Sequence, residues 1–387
     1  MNEKEKATFL VETFIIKRGR KNATNERKVA MSKKMLNHVL ENKEIYVGLE
    51  DSKRTWKVCV RCEGIVVQEA SMAARYDILK AFFDNNYPGC IIAVIYEAGF
   101  KGFTLHDKLV NDGLKCIVIP PHRVKQEKGN RVKCDKRDAR DLAKQLEVEK
   151  DFCAQCAVPD EERRQDRQVS RTLIQIQKEI TRCKNRIRKF LDFHGFDEEF
   201  VAGRWYDREY QVLETLDVAD SLQFCLDFYR QQLAMLTEAK KTFSKKLREL
   251  SKKARYNKTF EVFRSAPGVG WFTAIRLVLE WGEDLTRFDN GKKFASFVGL
   301  TPKEFSTGES IRRGRITGQS NPSIRAWLIE CGWTAYKRDP VLLKKFRTVW
   351  GATGSKKKAV VAVARMLAVR LYALAKNGTP YQIGIAV

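Results

Sequence analysis

The chain has 387 residues, with 73 lysines and arginines against 48 aspartates and glutamates, which gives a formal net charge of +25. This charge favours a polyanionic partner, above all nucleic acid, because Lys and Arg release counterions from phosphates. A membrane partner is disfavoured, because no signal peptide is apparent and Arg365 and Arg370 interrupt the apolar stretch near the carboxyl end. That stretch predicts a buried helix, and the whole pattern predicts a cytoplasmic protein.

The ten cysteines, without a secretory signal, predict reduced thiols. Cys59 with Cys62, and Cys153 with Cys156, have the spacing of zinc ligands, but the two pairs are far apart in the chain. The first pair also lies in a strand-like segment, where positions i and i+3 face opposite sides. Ordinary thiols are therefore the preferred interpretation, with a zinc site as the alternative.

The amino-terminal part predicts a basic leader followed by an α/β domain. Residues 1–42, with a basic run at 17–21, predict a flexible leader or a tail that contacts nucleic acid. Residues 43–150 then alternate apolar runs with turn residues. The predicted order is three strands (44–50, 55–61 and 65–70), a helix (71–86), a strand (90–100), a helix (103–113), a strand (114–121) and a helix from 133.

The middle of the chain, residues 160–255, changes character. Two long charged segments with thin apolar stripes, 161–193 and 221–254, predict an antiparallel coiled-coil hairpin. An ordinary helical domain is the alternative.

Residues 256–378 predict a mostly helical carboxyl-terminal domain. Between two of its predicted helices, Gly268 and Gly270 give the pattern of a helix-hairpin-helix, whose turn can direct backbone N–H groups at a phosphate. A polar loop follows, and its arginines are candidate phosphate ligands or simply a solvated basic face. They are Arg312, Arg313 and Arg315.

Four acids fall at matching ends of the predicted α/β elements. Glu50 closes the first strand, Glu97 ends the central buried strand, and Asp135 and Asp138 are surface neighbours on the last helix. Any one of them alone could be a cap or a partner of a helix dipole. Together they offer hard oxygen ligands for two divalent cations, Mg²⁺ or Mn²⁺, of the kind that assist phosphodiester displacement. The pattern predicts a ribonuclease-H-like core.

Six motifs in order then resemble one family. They are YVGLEDSKRTWKV, VIYEAGF, CDKRDARDLA, SAPGVGWFTAIRL, FASFVGLTPKEFSTGE and RRGRITGQSNPSIRAWL. The family is that of insertion-sequence transposases with a RuvC-like DEDD domain and a carboxyl-terminal serine domain, the bridge-RNA-guided recombinases. The resemblance spans residues 44–378. It implies that the four acidic residues of the family's DEDD domain correspond to Glu50, Glu97, Asp135 and Asp138. The family normally has Asp where this chain has Glu50, and a shift of one residue would bring in Asp51 instead.

The same resemblance places the family's catalytic serine at Thr307, before Gly308, with Ser306 one residue earlier. The Lys and Gly of a later family motif are replaced by Gly318 and Ser320.

What the resemblance implies is a concerted mechanism. A hydroxyl attacks a DNA phosphodiester and forms a covalent protein–DNA link, and metal ions at the acids assist. The helical hairpin pairs protomers into a homodimer or tetramer, and a structured guide RNA specifies the element ends and the target. Such a protein is expected to act at the nucleoid of a bacterial or archaeal cell.

Two other functions fit the same composition. One is a metal-dependent RuvC-like junction nuclease, which needs the acids but forms no covalent intermediate. The other is an inactive relative that binds nucleic acid through the same fold and charge. The departures at Glu50 and Thr307 leave both open.

Overall fold

The computed structural model describes most of the chain in two compact units, which divide between Val158 and Pro159. The described residues are 40–125, 134–150, 155–196, 205, 207–305, 307, 310, 312–318 and 320–385. The predicted leader therefore lies outside the described residues except at its end. There, Leu40 is already buried in the core of the amino-terminal unit.

A mixed five-stranded sheet forms the centre of the amino-terminal unit, with strand order β3-β2-β1-β4-β5. The first three strands make an antiparallel meander, and β4 and β5 continue from β1 in parallel. The strands are β1 (Glu44–Asp51), β2 (Thr55–Cys62), β3 (Ile65–Ala73), β4 (Ile91–Glu97) and β5 (Lys115–Ile119). The helices are α1 (Tyr76–Asn86), α2 (Thr104–Asn111) and α3 (Asp135–Glu149). The predicted order of elements is confirmed.

The boundary between β3 and α1 was predicted wrongly. The predicted helix 71–86 begins only at Tyr76, because β3 continues to Ala73 and pairs there with Thr55 of β2. Cross-strand pairing thus takes precedence over the helical spacing of the apolar residues.

Helices cover both faces of the sheet. On one face, Leu79 of α1 and Leu109 of α2 join a core that includes Val58 and Val94. On the other face α3 packs with Leu142 and Leu146 against β4 and β5. Burial on both faces explains why β4 reads as a continuous apolar run.

The two cysteines of β2 lie on opposite faces of the sheet. Cys59 packs against Ala139 of α3, whereas Cys62 belongs to the core on the other face. Burial raises the pKa of each thiol to about 11, so both stay protonated at neutral pH. Among the described residues no three His, Cys, Asp or Glu side chains form a group that could hold a metal ion.

In the second unit, two long helices lie side by side, α4 (Glu161–Phe193) and α6 (Asp220–Ser251). Their shared core includes Ile187 and Leu191 of α4 with Leu226 and Leu233 of α6. Both helices were predicted within three residues of their observed ends. Between them, α5 (Asp207–Thr215) was not predicted and adds Leu213 to the core. The thiol of Cys225 on α6 is exposed.

Ion pairs join the start of α4 to the helices that follow α6. These are α7 (Ala254–Arg264) and α8 (Trp271–Trp281). Arg255 of α7 lies 2.9 Å from the carboxylates of both Asp160 and Glu162, and 2.5 Å from that of Glu283. The two long helices and the carboxyl-terminal helices therefore belong to one compact unit.

The carboxyl-terminal elements pack around a buried helix. They are α9 (Gly291–Phe297), the hairpin strands β6 (Pro302–Glu304) and β7 (Arg313–Ile316), α10 (Pro322–Arg338), α11 (Pro340–Thr353) and α12 (Lys356–Asn377). Most of the apolar side chains of α12 are buried, which confirms the predicted buried helix. The guanidinium of Arg370 is buried too, 2.9 Å from the carboxylate of Asp339. In the described parts of the chain no helix is long and apolar enough to cross a membrane.

Candidate active site

Two of the predicted acids lie near the ends of neighbouring parallel strands and on the same face of the sheet. Leu49 of β1 pairs with Tyr96 of β4, so Glu50 and Glu97 are the next residues along the two strands. Side chains alternate between faces along a strand. Because Gly48 lies beneath α3 and Ile95 packs against it, Glu50 and Glu97 project from the α3 face.

Asp51, the alternative to Glu50, lies on the opposite face. Its carboxylate accepts hydrogen bonds from the Trp56 indole at 2.5 Å and from Lys101 Nζ at 2.6 Å. The Asp51 side chain is only 7% exposed. These contacts hold Asp51 in a structural ion pair, away from the face that carries Glu50 and Glu97.

The remaining two acids lie in the first turn of α3, where negative charge complements the helix dipole. Asp135 is exposed and Asp138 is half-buried. Gly48 of β1 allows this helix to lie very close to the sheet. A Cβ on Gly48 would lie 2.5 Å from Ala143 N and closer still to the Ala139 oxygen. The missing side chain lets α3 rest directly on the end of β1, next to Asp138.

The donor set suits a hard divalent cation, because all four predicted ligands are carboxylates. In the described part of the chain, however, they do not form a closed group of three that could hold a metal ion. The structure thus brings Glu50 and Glu97 to one edge and one face of the sheet and lays the start of α3 across that face. The four carboxylate groups themselves do not converge on one point in this structure.

In the second unit, Thr307 extends the β6–β7 hairpin. Its N–H donates to the Ser310 oxygen at 3.2 Å, and the Ser310 N–H donates back to the Thr307 oxygen at 3.1 Å. The Thr307 side chain is exposed. Ser306, the other candidate, lies outside the described residues.

Arginines flank this hairpin. The Phe305 N–H donates to the Arg312 oxygen at 2.8 Å, which places Arg312 opposite Phe305, and the side chains of Arg312 and Arg315 are exposed. Arg313 pairs with Glu304 in the backbone register of the strands, and its side chain is outside the description. The hairpin therefore presents a hydroxyl and positive charge to solvent.

The two glycines between α7 and α8 have different surroundings. Gly268 has φ of +81°, and a Cβ there would lie 2.5 Å from the Cys331 oxygen of α10. Gly270, the N-cap residue of α8, is exposed and has open space around its Cα. Gly268 thus permits a close contact with a neighbouring helix, and Gly270 is the one accessible to a ligand.

Sequence reasoning missed the support at the base of the hairpin. Arg325 Nη1 of α10 donates to the Thr317 carbonyl at 2.8 Å, and the Thr317 N–H donates to the Thr301 oxygen at 3.0 Å. Gly299, with φ of +74°, leaves room for the Ser320 side chain. The basic residue within the SIRAWL helix was the available signal for this support.

Two regions of the chain match family models of transposases. Residues 47–195 match the family model of the IS110-type DEDD transposase, and residues 260–347 match the model described as "Transposase IS116/IS110/IS902 family". The chain is 25% identical to the y4qE protein of Sinorhizobium fredii over 377 residues, which cover 88% of this chain and 90% of that one.

Two further relatives carry transposase names. The transposase for insertion sequence element IS1533 of Leptospira borgpetersenii is 24% identical over 343 residues, 87% of this chain and 97% of the relative. The transposase for insertion sequence element IS1111A of Coxiella burnetii is 25% identical over 213 residues, 54% of this chain and 57% of the relative.

Proposed function

Because the chain belongs to the IS110/IS116/IS902 family of transposases and is a DNA-acting enzyme, we propose that it cuts and rejoins insertion-sequence DNA through a covalent protein–DNA intermediate. The observation that carries this proposal is the exposed hydroxyl of Thr307 on a basic hairpin. Thr307 is the proposed nucleophile, and Ser306 is the alternative.

The proposed transfer of the phosphoryl group requires no oxidant or reductant. The Thr307 oxygen forms a bond to phosphorus, the bond from phosphorus to one sugar oxygen breaks, and that oxygen receives a proton while the hydroxyl loses one. In the second step a hydroxyl on another DNA end attacks the same phosphorus and releases Thr307. The exposed guanidinium groups of Arg312 and Arg315 are suited to hold the phosphate oxygens, with Arg313 as a further candidate.

The acids of the amino-terminal unit are proposed to hold Mg²⁺ or Mn²⁺. Glu50 and Glu97 share one face and one edge of the sheet, and Asp135 and Asp138 begin the helix on that face. A bound divalent cation would neutralise charge that develops on phosphate oxygens during transfer. The longer side chain of Glu50, compared with Asp, extends its carboxylate further from β1.

The other parts of the proposal concern partners. The helices α7 and α8 with their turn are proposed as a helix-hairpin-helix, in which Gly270 is open to a phosphate and Gly268 packs on α10. The net charge of +25 is suited to a structured guide RNA as well as DNA. The helices α4 and α6 are proposed to act as an antiparallel coiled coil that pairs protomers into a dimer or tetramer. On this proposal the protein works at the nucleoid.

A covalent-adduct assay tests the proposal. Purified full-length protein, the non-coding RNA that flanks its gene, labelled element-end DNA and Mg²⁺ are incubated, and DNA retained on the denatured protein is measured. Thr307→Ala is expected to lower adduct yield by about 10³-fold or more, and Thr307→Ser to retain it. Glu97→Gln is expected to lose the adduct while DNA binding persists.

Each alternative function predicts a different result. Loss of the adduct in Ser306→Ala but not in Thr307→Ala would move the nucleophile by one residue. Metal-dependent nicking without any adduct would indicate the junction nuclease. Binding without either product, under conditions where a relative with Asp and Ser at these positions reacts, would indicate an inactive copy.

A further inference from the structure

Phe305 is a large apolar side chain that the β6–β7 hairpin holds in solvent. It is 66% exposed, although its backbone N–H donates to the Arg312 oxygen at 2.8 Å. An aromatic side chain of this size usually contributes to stability by leaving water. Here the hairpin fixes the residue without burying its ring.

Gly314 supports the ring from one side. A Cβ built on Gly314 would lie 3.5 Å from Phe305 Cε2, so one edge of the ring lies close to this glycine across the hairpin. Because Phe305 is 66% exposed, most of its surface remains accessible to solvent. This gives a flat apolar surface with a supported side and a free side.

The same face of the hairpin carries the candidate chemistry. Residues two apart on a strand project from the same face, so Phe305 shares its face with Thr307. Arg312 stands opposite Phe305, and Ser310 stands opposite Thr307. An aromatic ring, a hydroxyl and a guanidinium therefore lie together on one exposed face.

These groups match the parts of one nucleotide. Stacking on an aromatic ring is the usual way in which proteins bind a base that is not paired, because every base has an apolar face. A paired base in a duplex has both faces covered by its neighbours and cannot stack on a side chain without leaving the duplex. The positive charge beside the ring suits the phosphate that joins such a base to its neighbour.

We propose that Phe305 stacks on an unpaired nucleobase adjacent to the phosphate that the hairpin hydroxyl attacks. This inference rests on the proposed function, because it takes the hairpin as the place where DNA strands are exchanged. It goes beyond that function in assigning a base-binding site and in requiring that the attacked strand be locally unpaired.

A binding experiment tests the stacking directly. The probe is a DNA duplex with a single unpaired 2-aminopurine, and its partner probe is the same duplex with that base paired. The full-length protein, Phe305→Ala and Phe305→Trp are compared at one fixed salt concentration. Trp350→Ala is the matched control, because Trp350 is 41% exposed on α11 and lies away from the hairpin in sequence.

Phe305→Ala is expected to weaken binding of the unpaired probe by about tenfold and binding of the paired probe by less than about twofold. The change in 2-aminopurine emission on binding is expected to disappear in Phe305→Ala and to persist in Phe305→Trp and Trp350→Ala. Replacing the unpaired base by an abasic residue should weaken binding of the parent protein by the same factor and leave Phe305→Ala unaffected.

Two results would overturn the stacking proposal. One is equal binding of the unpaired probe by the parent and Phe305→Ala. The other is an equal loss for both probes, which would make Phe305 a general contact. Neither result depends on the adduct. Conversely, if Thr307→Ala still forms the adduct, Thr307 is not the nucleophile. The base-binding site is then still tested by these affinities, which do not depend on the adduct.

Discussion

Lys101 connects the loop after β4 to the end of β1 by placing its Nζ 2.6 Å from the Asp51 carboxylate and 2.7 Å from the Ser52 carbonyl oxygen. The same Nζ lies 5.1 Å from the centre of the Trp56 ring. The two segments joined in this way follow directly on Glu97 and Glu50. Asp51 therefore helps to hold the segment after β4 against the end of β1.

Replacing Lys101 by Met should destabilise the amino-terminal unit, because the mostly buried Asp51 carboxylate loses its charged partner while the aliphatic stem is kept. We expect the free energy of unfolding in urea to fall by about 2 kcal/mol. We also expect the Mg²⁺ concentration for half-maximal adduct formation to rise. Lys101→Arg should restore part of both.

The matched control is Lys80→Met. Lys80 Nζ also lies 2.6 Å from an aspartate, Asp112, but its side chain is 48% exposed. Solvent screens the charges of such an exposed pair, so its loss should change stability much less. Equal losses in the two variants, or an unchanged Mg²⁺ requirement in Lys101→Met, would contradict a role for Lys101 in positioning the acids.

Glu50→Gln and Asp51→Asn should separate chemistry from stability. Glu50 faces α3 together with Glu97, whereas Asp51 is held by Lys101 on the opposite face. Glu50→Gln is expected to lower adduct yield by about 10²-fold or more with little change in urea unfolding. Asp51→Asn is expected to lower stability by about 1–2 kcal/mol and to keep most of the adduct. The reverse result would show that Asp51 is the ligand.

Gly48→Ala should displace α3 from the sheet. The added Cβ would meet the backbone of α3 at Ala143 N, 2.5 Å away, and backbone cannot rotate aside as a side chain can. We expect about 3 kcal/mol of destabilisation in urea unfolding, together with loss of adduct. Gly99→Ala is the control, since its Cβ would meet only the Glu97 oxygen at 3.8 Å. Similar stability of the two variants would contradict the close approach of α3.

The ion pairs at the start of α4 should weaken in acid. A hydrogen bond from Arg255 lowers the pKa of Asp160 to about 2. Partial burial of the carboxylate acts in the opposite direction, and the hydrogen bond from the Arg163 N–H lowers the pKa further. An unfolded Asp has a pKa near 3.9. The stabilisation is therefore present above about pH 4 and is lost as the pH falls towards 2.

Asp160→Asn tests this pH dependence. The Asp160 side chain is 49% exposed, so solvent screening limits its contribution to about 1 kcal/mol at neutral pH. Urea unfolding of parent and variant at pH 7, 5 and 3 should show a difference that is constant down to pH 5 and smaller at pH 3. A difference that does not change over this range would argue against the lowered pKa.

Much of the amino-terminal fold follows from local sequence signals. Short apolar runs between turn residues predict the strands, and the run in β4 predicts burial on both faces. The same signals predict strand ends at Glu50 and Glu97, but the choice between Glu50 and Asp51 depends on register. A slip of one residue turns every side chain of a strand to the other face. The pairing of β1 with β4 puts Glu50, and not Asp51, on the same face of the sheet as Glu97.

Other features depend on contacts between residues far apart in the chain. The short helix α5 carries a weak local pattern, and its Leu213 becomes part of a core only because α4 and α6 pack together. The contact of Phe305 with Gly314 depends on a hairpin whose register shifts between Pro302 and Glu304. Neither the spacing of residue types nor the composition of this segment predicts that register shift.

The exposure of Cys225 on α6 has a practical consequence. Cys59, Cys62 and Cys331 are buried, and burial raises the pKa of each of these thiols to about 11. Thiol-reactive reagents attack the thiolate, so these three should react slowly at neutral pH. Brief treatment with a maleimide dye should therefore label Cys225 well ahead of them. A dye on Cys225 then gives a test of the proposed pairing of protomers, because energy transfer between two labelled α6 helices reports the distance between them.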